Sequence, residues 1–289
     1  MAEAAQRDEI KLWRDEALGQ SGVELLSGRC FEHRYTPHFH NEVVIAAFTA
    51  GAQKHRVGRH QGIAGPGTVL IIPAGETHTG EAAQDDGWTY RAFYPDEGTL
   101  ETLSADLFGG LRRGPPDFEW SPLHEDRPLA RRIAALHAIT EDALPEPLAR
   151  QQAFAAAMAA VLCRYAKPGG RRRPKSREPA AVRRAIDLAH ARFADPDLAI
   201  RELAEAAGLS AYHFMRCFRT ATGVTAHCFV TQLRVTEARR LLAAGESAAH
   251  VAHAVGFADQ SHLIRRFKIA LGVTPGQYAR ASSMRCCSW

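Results

Sequence analysis

The sequence predicts an α+β protein with a β-rich N-terminal half of barrel or jelly-roll type, accessory helices, and an all-α C-terminal third. Three observations predict it. Between Cys30 and Tyr94, runs of strand-forming residues such as EVVIAAFTA and TVLIIPA alternate with Gly and Pro punctuation. From Asp126 onward, apolar residues recur at helical spacing. Beyond Pro179 the chain nearly repeats itself, with each copy written in helical grammar.

A chain of 289 residues, 46% hydrophobic and 24% charged, has room for two domains with real cores. No window approaches the ~18 uninterrupted apolar residues of a membrane helix. The opening MAEAAQRDEIKLWRDEALGQ is charged throughout and lacks the apolar centre of a secretory signal, so residence in the cytoplasm is expected. The cysteines Cys30, Cys163, Cys217, Cys228, Cys286 and Cys287 form no CxxC pair and no zinc-finger spacing. They read as small side chains or tail thiols in a reduced compartment. The net charge of +4 conceals an asymmetry. Residues 1–165 carry 16 basic and 23 acidic side chains, residues 166–179 six and one, and residues 180–289 14 and eight. A polyanion is therefore expected to meet the C-terminal half.

Taken in order, the first 25 or so residues read as an arm without assigned structure. RVGRHQGIAGPGTVLIIPAGETHTG then spaces its turn residues almost evenly, as small antiparallel barrels and jelly rolls do. DEGTLETLSADLF suits a short helix, and Gly109–Pro122 breaks the pattern. Asp126–Ala143 puts Leu129, Ile133, Leu136 and Ile139 on one stripe. Leu148–Tyr165 does the same with Phe154, Met158, Val161 and Leu162. These two helices suit either packing on the barrel or a seam between two copies. KPGGRRRPKSREP, with two glycines, three prolines and six cations, reads as a linker. The expected division is 1–165, linker 166–179, 180–281, and a tail 282–289.

The repeat pairs LAEAAGLSAYHFMRCFRTATGVT with VAHAVGFADQSHLIRRFKIALGVTP. Gly208 matches Gly256, while Arg216, Phe218, Gly223 and Thr225 match Arg265, Phe267, Gly272 and Thr274. The second turn is one residue longer. Each copy reads as a helix-turn-helix: a helix closed at a glycine, a tight turn, an N-cap at Ser210 or Asp259, and a second amphipathic helix. Phe214, Phe218 and Ala221 anchor the first such helix, and Leu263, Phe267 and Leu271 the second. Tyr212, Met215, Arg216 and Arg219 are then expected outside, as are Gln260, Ser261, His262, Arg265 and Arg266. Arginine reads guanine and glutamine reads adenine in the major groove. Arg219, Arg266 and Lys268 suit phosphates. Between the copies, CFVTQLRVTEARRLLAAGES carries the stripe Leu233, Ala238, Leu241 and Leu242, a single linking helix of about five turns.

IRELAEAAGLSAYHFMRCFRTATGVT, RVTEARRLLA, VAHAVGFADQSHLIRRFK and GVTPGQY together resemble the DNA-binding domain of the AraC/XylS family, over about a hundred residues. The resemblance implies base contacts from Tyr212, Met215 and Arg216 in one recognition helix and from Gln260, Ser261, His262 and Arg265 in the other. Met215 stands where a polar reader is common, which suits either a thymine methyl group or no base contact at all.

The β region carries a second pattern. His38, His40 and Glu42, followed by Gly67, Pro73, Gly75 and His78, resemble the two cupin motifs. Glu42 follows His40 too closely for the usual acidic ligand, and Ala82 replaces the final Asn. His38, His40 and His78 suit a three-imidazole metal site, a polar wall for an organic ligand, or a turn at the barrel mouth. Trp88, Tyr90 and Tyr94 share one strand face, as pocket lining or as core. The expected function is a transcription regulator without a cofactor, controlled by a small-molecule effector held by His38, His40, Glu42, His78, Trp88 and Tyr90. The resemblance implies double-stranded DNA, the effector, a second copy and RNA polymerase as partners. It also implies a lid role for the arm and a pairing role for 126–165. The alternative is a metal-dependent cupin enzyme fused to a DNA-binding module.

Overall fold

The computed structural model describes residues 7–108, 114, 116–118, 121–141, 146–167 and 179–283. The linker, apart from its two ends, and the cysteine-containing tail lie outside the described residues. Two compact units result. One is built from residues up to 167, and the other from residues 179–280, with which Tyr35–Phe39 also groups. Among the described residues, no helix is long and apolar enough to cross a membrane.

Ten strands form along the chain up to residue 125: β1 (Glu9–Asp15), β2 (Val23–Cys30), β3 (Tyr35–His38), β4 (Val44–Gly51), β5 (Gln53–Val57), β6 (His60–Ala64), β7 (Thr68–Ile72), β8 (His78–Ala82), β9 (Trp88–Tyr94) and β10 (Leu123–Glu125). They form two sheets, ordered β1-β2-β9-β4-β7-β10 and β3-β8-β5-β6, in jelly-roll manner rather than as one closed barrel. The six-stranded sheet is buried on both faces. Leu25, Ile45, Ala47, Val69, Ile71 and Phe93 share one core with α2 (Arg127–Glu141) and α3 (Pro147–Tyr165). The opposite face, with Phe48, Trp88, Tyr90 and Tyr94, is buried as well. A short helix, α1 (Glu97–Leu107), follows β9, capped by Asp96, whose carboxylate accepts from the Thr99 amide at 2.6 Å.

Two expectations change. The first 25 residues are not a free arm from residue 9 onward, because β1 pairs with β2 along its whole length, from Glu9↔Arg29 to Asp15↔Val23. Leu12 and Trp13, adjacent in sequence, are both buried, so β1 lacks the in–out alternation that marks a half-exposed strand. In α2, Leu129, Ala130, Ile133, His137 and Thr140 are buried, whereas Ile139 is 41% exposed. The buried face thus turns through polar His137 and Thr140, which an apolar stripe does not register. The two helices pack on the sheet.

The second unit is helical: α4 (Ala180–Arg192), α5 (Ile200–Ala207), α6 (Ala211–Thr222), α7 (Ala226–Ala243), α8 (Ala248–Ala254) and α9 (Gln260–Leu271), followed by α10 (Pro275–Ser283). Val182, Ala185, Leu203, Ala207, Phe214, Phe218, Phe229 and Leu233 make the core of its first half. The linking helix α7 runs 18 residues, about 27 Å at 1.5 Å per residue.

Candidate nucleic-acid interface and effector site

The two motifs, α5–α6 and α8–α9, are built by the same local chemistry. Gly208 and Gly256 adopt left-handed φ of 70° and 84°, where a side chain is strained. Behind each, the next amide reaches back to close the helix: Leu209 N donates to Ala204 O at 3.0 Å and Phe257 N to Ala252 O at 2.8 Å. The second helix then starts on a side-chain cap. Ser210 Oγ accepts from the His213 amide at 3.4 Å, and Asp259 Oδ1 from the His262 amide at 2.7 Å. Both end at left-handed glycines, Gly223 and Gly272.

With the helices so phased, Phe214 and Phe218 are buried in α6, and Leu263, Phe267 and Leu271 in α9. Ala221, expected with the anchors, is half-buried. On the other face of α6, Tyr212 is 75% and Met215 51% exposed, and Arg216 and Arg219 are exposed beside them. On α9, Gln260, Ser261, Arg265 and Lys268 are exposed. His262 and Arg266 are half-buried rather than fully outside. The His262 ring meets Phe257 edge-on at 5.1 Å, and Arg266 Nε donates to His262 Nε2 at 3.4 Å. Burial first, and then the charges of Arg266 and Arg265, push the His262 pKa below its ordinary value.

The other candidate residues lie in the β-rich unit. His38 ends β3, and His78 begins β8, to which β3 is hydrogen-bonded. His40 lies beyond the end of β3, so the period of two along one strand does not place it. Even so, ligand atoms of His38, His40 and His78 all lie within 4.8 Å of one another. His38 Nδ1 lies 2.7 Å from Thr36 O, and His78 Nδ1 lies 3.0 Å from Glu76 O. A carbonyl only accepts, so both Nδ1 atoms donate these bonds. The His40 ring lies 5.0 Å from His78 and 5.2 Å from Tyr94. Glu42 sits in the bend before β4, outside this cluster.

Tyr94 shares its strand face with Tyr90 and Trp88, and Tyr90 stacks on Phe48 at 5.7 Å. Trp88 Nε1 is buried with no hydrogen-bond partner among the described residues. Sequence reading missed Gln53 and His55, which are buried on β5. Gly62 and Gly80 flank His55 in register on β6 and β8. A Cβ at Gly80 would come within 2.5 Å of Gln53 Nε2, so the glycines clear space for the polar side chains. Burial lowers the His55 pKa. The available signal was a strand, QKHRV, with polar residues on alternate positions opposite glycines.

The family description "AraC-like ligand binding domain" matches residues 21–158, and "Helix-turn-helix domain" matches residues 203–281. The chain is 25% identical over 233 residues to the HTH-type transcriptional regulator YbfI of Bacillus subtilis, covering 80% of this chain and 82% of that protein. It is 37% identical over 87 residues to the transcriptional activator NphR of Rhodococcus, covering 30% of this chain and only 26% of that relative. Among solved structures, the apo form of a ToxT point variant from Vibrio cholerae covers 96% of this chain and 99% of its own at a TM-score of 0.50 and 12% identity, a likeness of fold. With an AraC-like ligand-binding domain ahead of a doubled helix-turn-helix, the chain belongs to the AraC family of DNA-binding transcriptional regulators.

Proposed function

We propose that residues 180–281 read a bipartite DNA site and that residues 1–165 bind the effector that governs the reading. The observation that carries this is the pair of side-chain-capped helices whose anchored faces leave Tyr212, Met215 and Arg216, and Gln260, Ser261 and Arg265, on the outside. His262, half-buried beside Phe257, joins the second set. Arg219, Arg266 and Lys268 supply phosphate contacts. The test is selection of binding sites from random duplexes, followed by Arg216→Ala and Arg265→Ala. Each should cost ~1–3 kcal/mol at the selected site and relax base preference at one position. Equal weakening on all duplexes would reduce these arginines to phosphate contacts.

The effector site is assigned to the face holding Trp88, Tyr90 and Tyr94 together with His38, His40, His78 and Glu42. The buried Trp88 Nε1 supports it, since a ligand oxygen would complete that donor. A second reading, a divalent transition metal on the three imidazoles, is favoured by their ligand atoms lying within 4.8 Å. Metal analysis of the purified protein separates the two. Stoichiometric zinc, nickel or iron lost in His40→Ala and His78→Ala supports the metal. Its absence, with a small molecule shifting both DNA affinity and thermal stability, supports the organic effector. Such a shift is expected only if the effector binds one arrangement of the protein better than another. No chemical turnover is assigned to either. The regulator acts as a homodimer in contact with RNA polymerase, and the exposed apolar side chains Ile139 of α2 and Leu148 of α3, 41% and 71% exposed, support pairing through these helices.

A further inference from the structure

The two motifs could read a fixed DNA spacing only if something fixes α6 against α9, and α7 alone is a single helix joining them. The segment between α4 and α5, Phe193–Asp195, supplies a second connection. Arg192 at the end of α4 donates to Asp195 and to Glu202 of α5, both at 2.5 Å, which fastens that segment to the first motif. From α7, Arg234 Nε donates to Phe193 O at 2.7 Å, and its NH2 group donates to Asp195 O at 2.8 Å. The guanidinium carbon of the same side chain lies 5.9 Å from the centre of the Phe257 ring, in the turn of the second motif. A Cβ at neighbouring Gly256 would come within 2.6 Å of Ala194 O and 3.2 Å of the Arg234 guanidinium carbon. That turn is therefore seated directly against the Phe193–Asp195 segment. Phe257 in turn supports the His262 ring near the start of α9.

We propose that Arg234 is a positioning residue that sets the separation and rotation of the two recognition helices, and hence the half-site spacing that the domain accepts. The inference rests on the reading that both motifs engage one DNA. Its requirement is the planar fork: two carbonyls pointing at one guanidinium are held together by parallel N–H donors, and an ammonium offers a point charge in their place. Arg234→Lys keeps the charge and loses the fork. Arg234→Gln loses both.

The full-length chain is titrated with a duplex selected by the wild type, with versions carrying one or two base pairs inserted or deleted between its halves, and with a half-site duplex. The wild type should prefer its selected spacing about tenfold or more over a one-pair insertion, since a displaced reader loses its base contacts. Both Arg234 variants should bind the selected duplex about tenfold more weakly, while half-site binding changes less than about twofold and the preference between spacings falls toward one. Phe257→Leu, which removes the ring below the guanidinium, should blunt the spacing preference in the same direction. It decides the matter if the Arg234 variants do not fold.

A spacing preference unchanged in a folded variant overturns the proposal. So does an Arg234→Lys protein that behaves as wild type, because charge alone then suffices. Equal loss on bipartite and half-site duplexes assigns Arg234 to a phosphate contact and also overturns it. If the wild type selects no duplex, or selects one without a second half, the underlying two-motif reading fails instead.

Discussion

Asp126 shows how much a single side chain organises. Its Oδ1 accepts from the Leu129 amide at 3.0 Å, which caps α2, and its Oδ2 accepts from Tyr165 at 2.9 Å and from Arg164, which ties α3 to that cap. Burial pushes its pKa up, but the amide, hydroxyl and guanidinium donors together outweigh burial and hold it below the ordinary carboxylate value. Arg164 is half exposed, so the amide and the hydroxyl carry most of the effect. Replacement by Ala should cost ~1–3 kcal/mol in urea unfolding at pH 7. Because the folded pKa is depressed, this contribution is full above the unfolded carboxylate value near ~4 and fades as pH falls through the folded one. The gap between wild type and variant should therefore close on acidification, and a gap independent of pH would assign the loss to packing. At this scale the sequence was informative where a residue's role is local. Ser210 and Asp259 are legible as caps because capping reaches only three residues ahead. Gln53, His55 and Arg234 were not legible, because their partners come from other elements.

At the scale of elements, β1 and the recognition helices make opposite cases. β1 is tied to α3 by the Asp15–Arg150 pair, 2.8 Å apart and almost fully buried. Removing one partner leaves a buried charge, so Asp15→Ala should destabilise by ~3–5 kcal/mol, measured by chemical denaturation. If β1 were instead a displaceable arm, the loss would stay below about 1 kcal/mol, as for an exposed pair. This strand escaped the sequence reading because both of its faces are covered, and covering is a property of the assembled sheet. The recognition helices were legible because each has one wet and one dry face. Asp259→Ala should lower stability by ~0.5–2 kcal/mol and fray the start of α9, read by amide exchange at His262. Gly256→Ala should cost more than a loop glycine elsewhere, since both its φ of 84° and the approach of Ala194 O oppose a side chain.

For the whole molecule, charge is the organising quantity. The excess of positive charge beyond residue 165 faces a polyanion, so DNA affinity should fall linearly on a logarithmic scale of salt concentration. Lys268→Ala should reduce that slope by about one without changing base preference. An unchanged slope would remove Lys268 from the phosphate contacts.

The sequence by itself determined the class of the chain, the doubled helix-turn-helix and its caps, the outward face of α6, that of α9 apart from His262 and Arg266, and the aromatic face of β9. All of these depend on periodicity or on neighbours within a few residues, which the order of amino acids records directly. Only the tertiary structure decided that residues 9–15 complete a sheet, that three histidines from different segments converge, that polar Gln53 and His55 lie buried opposite glycines, and that Arg234 joins the two motifs. Each of these is a contact between residues distant along the chain. Such contacts depend on strand register and helix packing, which many sequences satisfy equally well until the chain has folded around them.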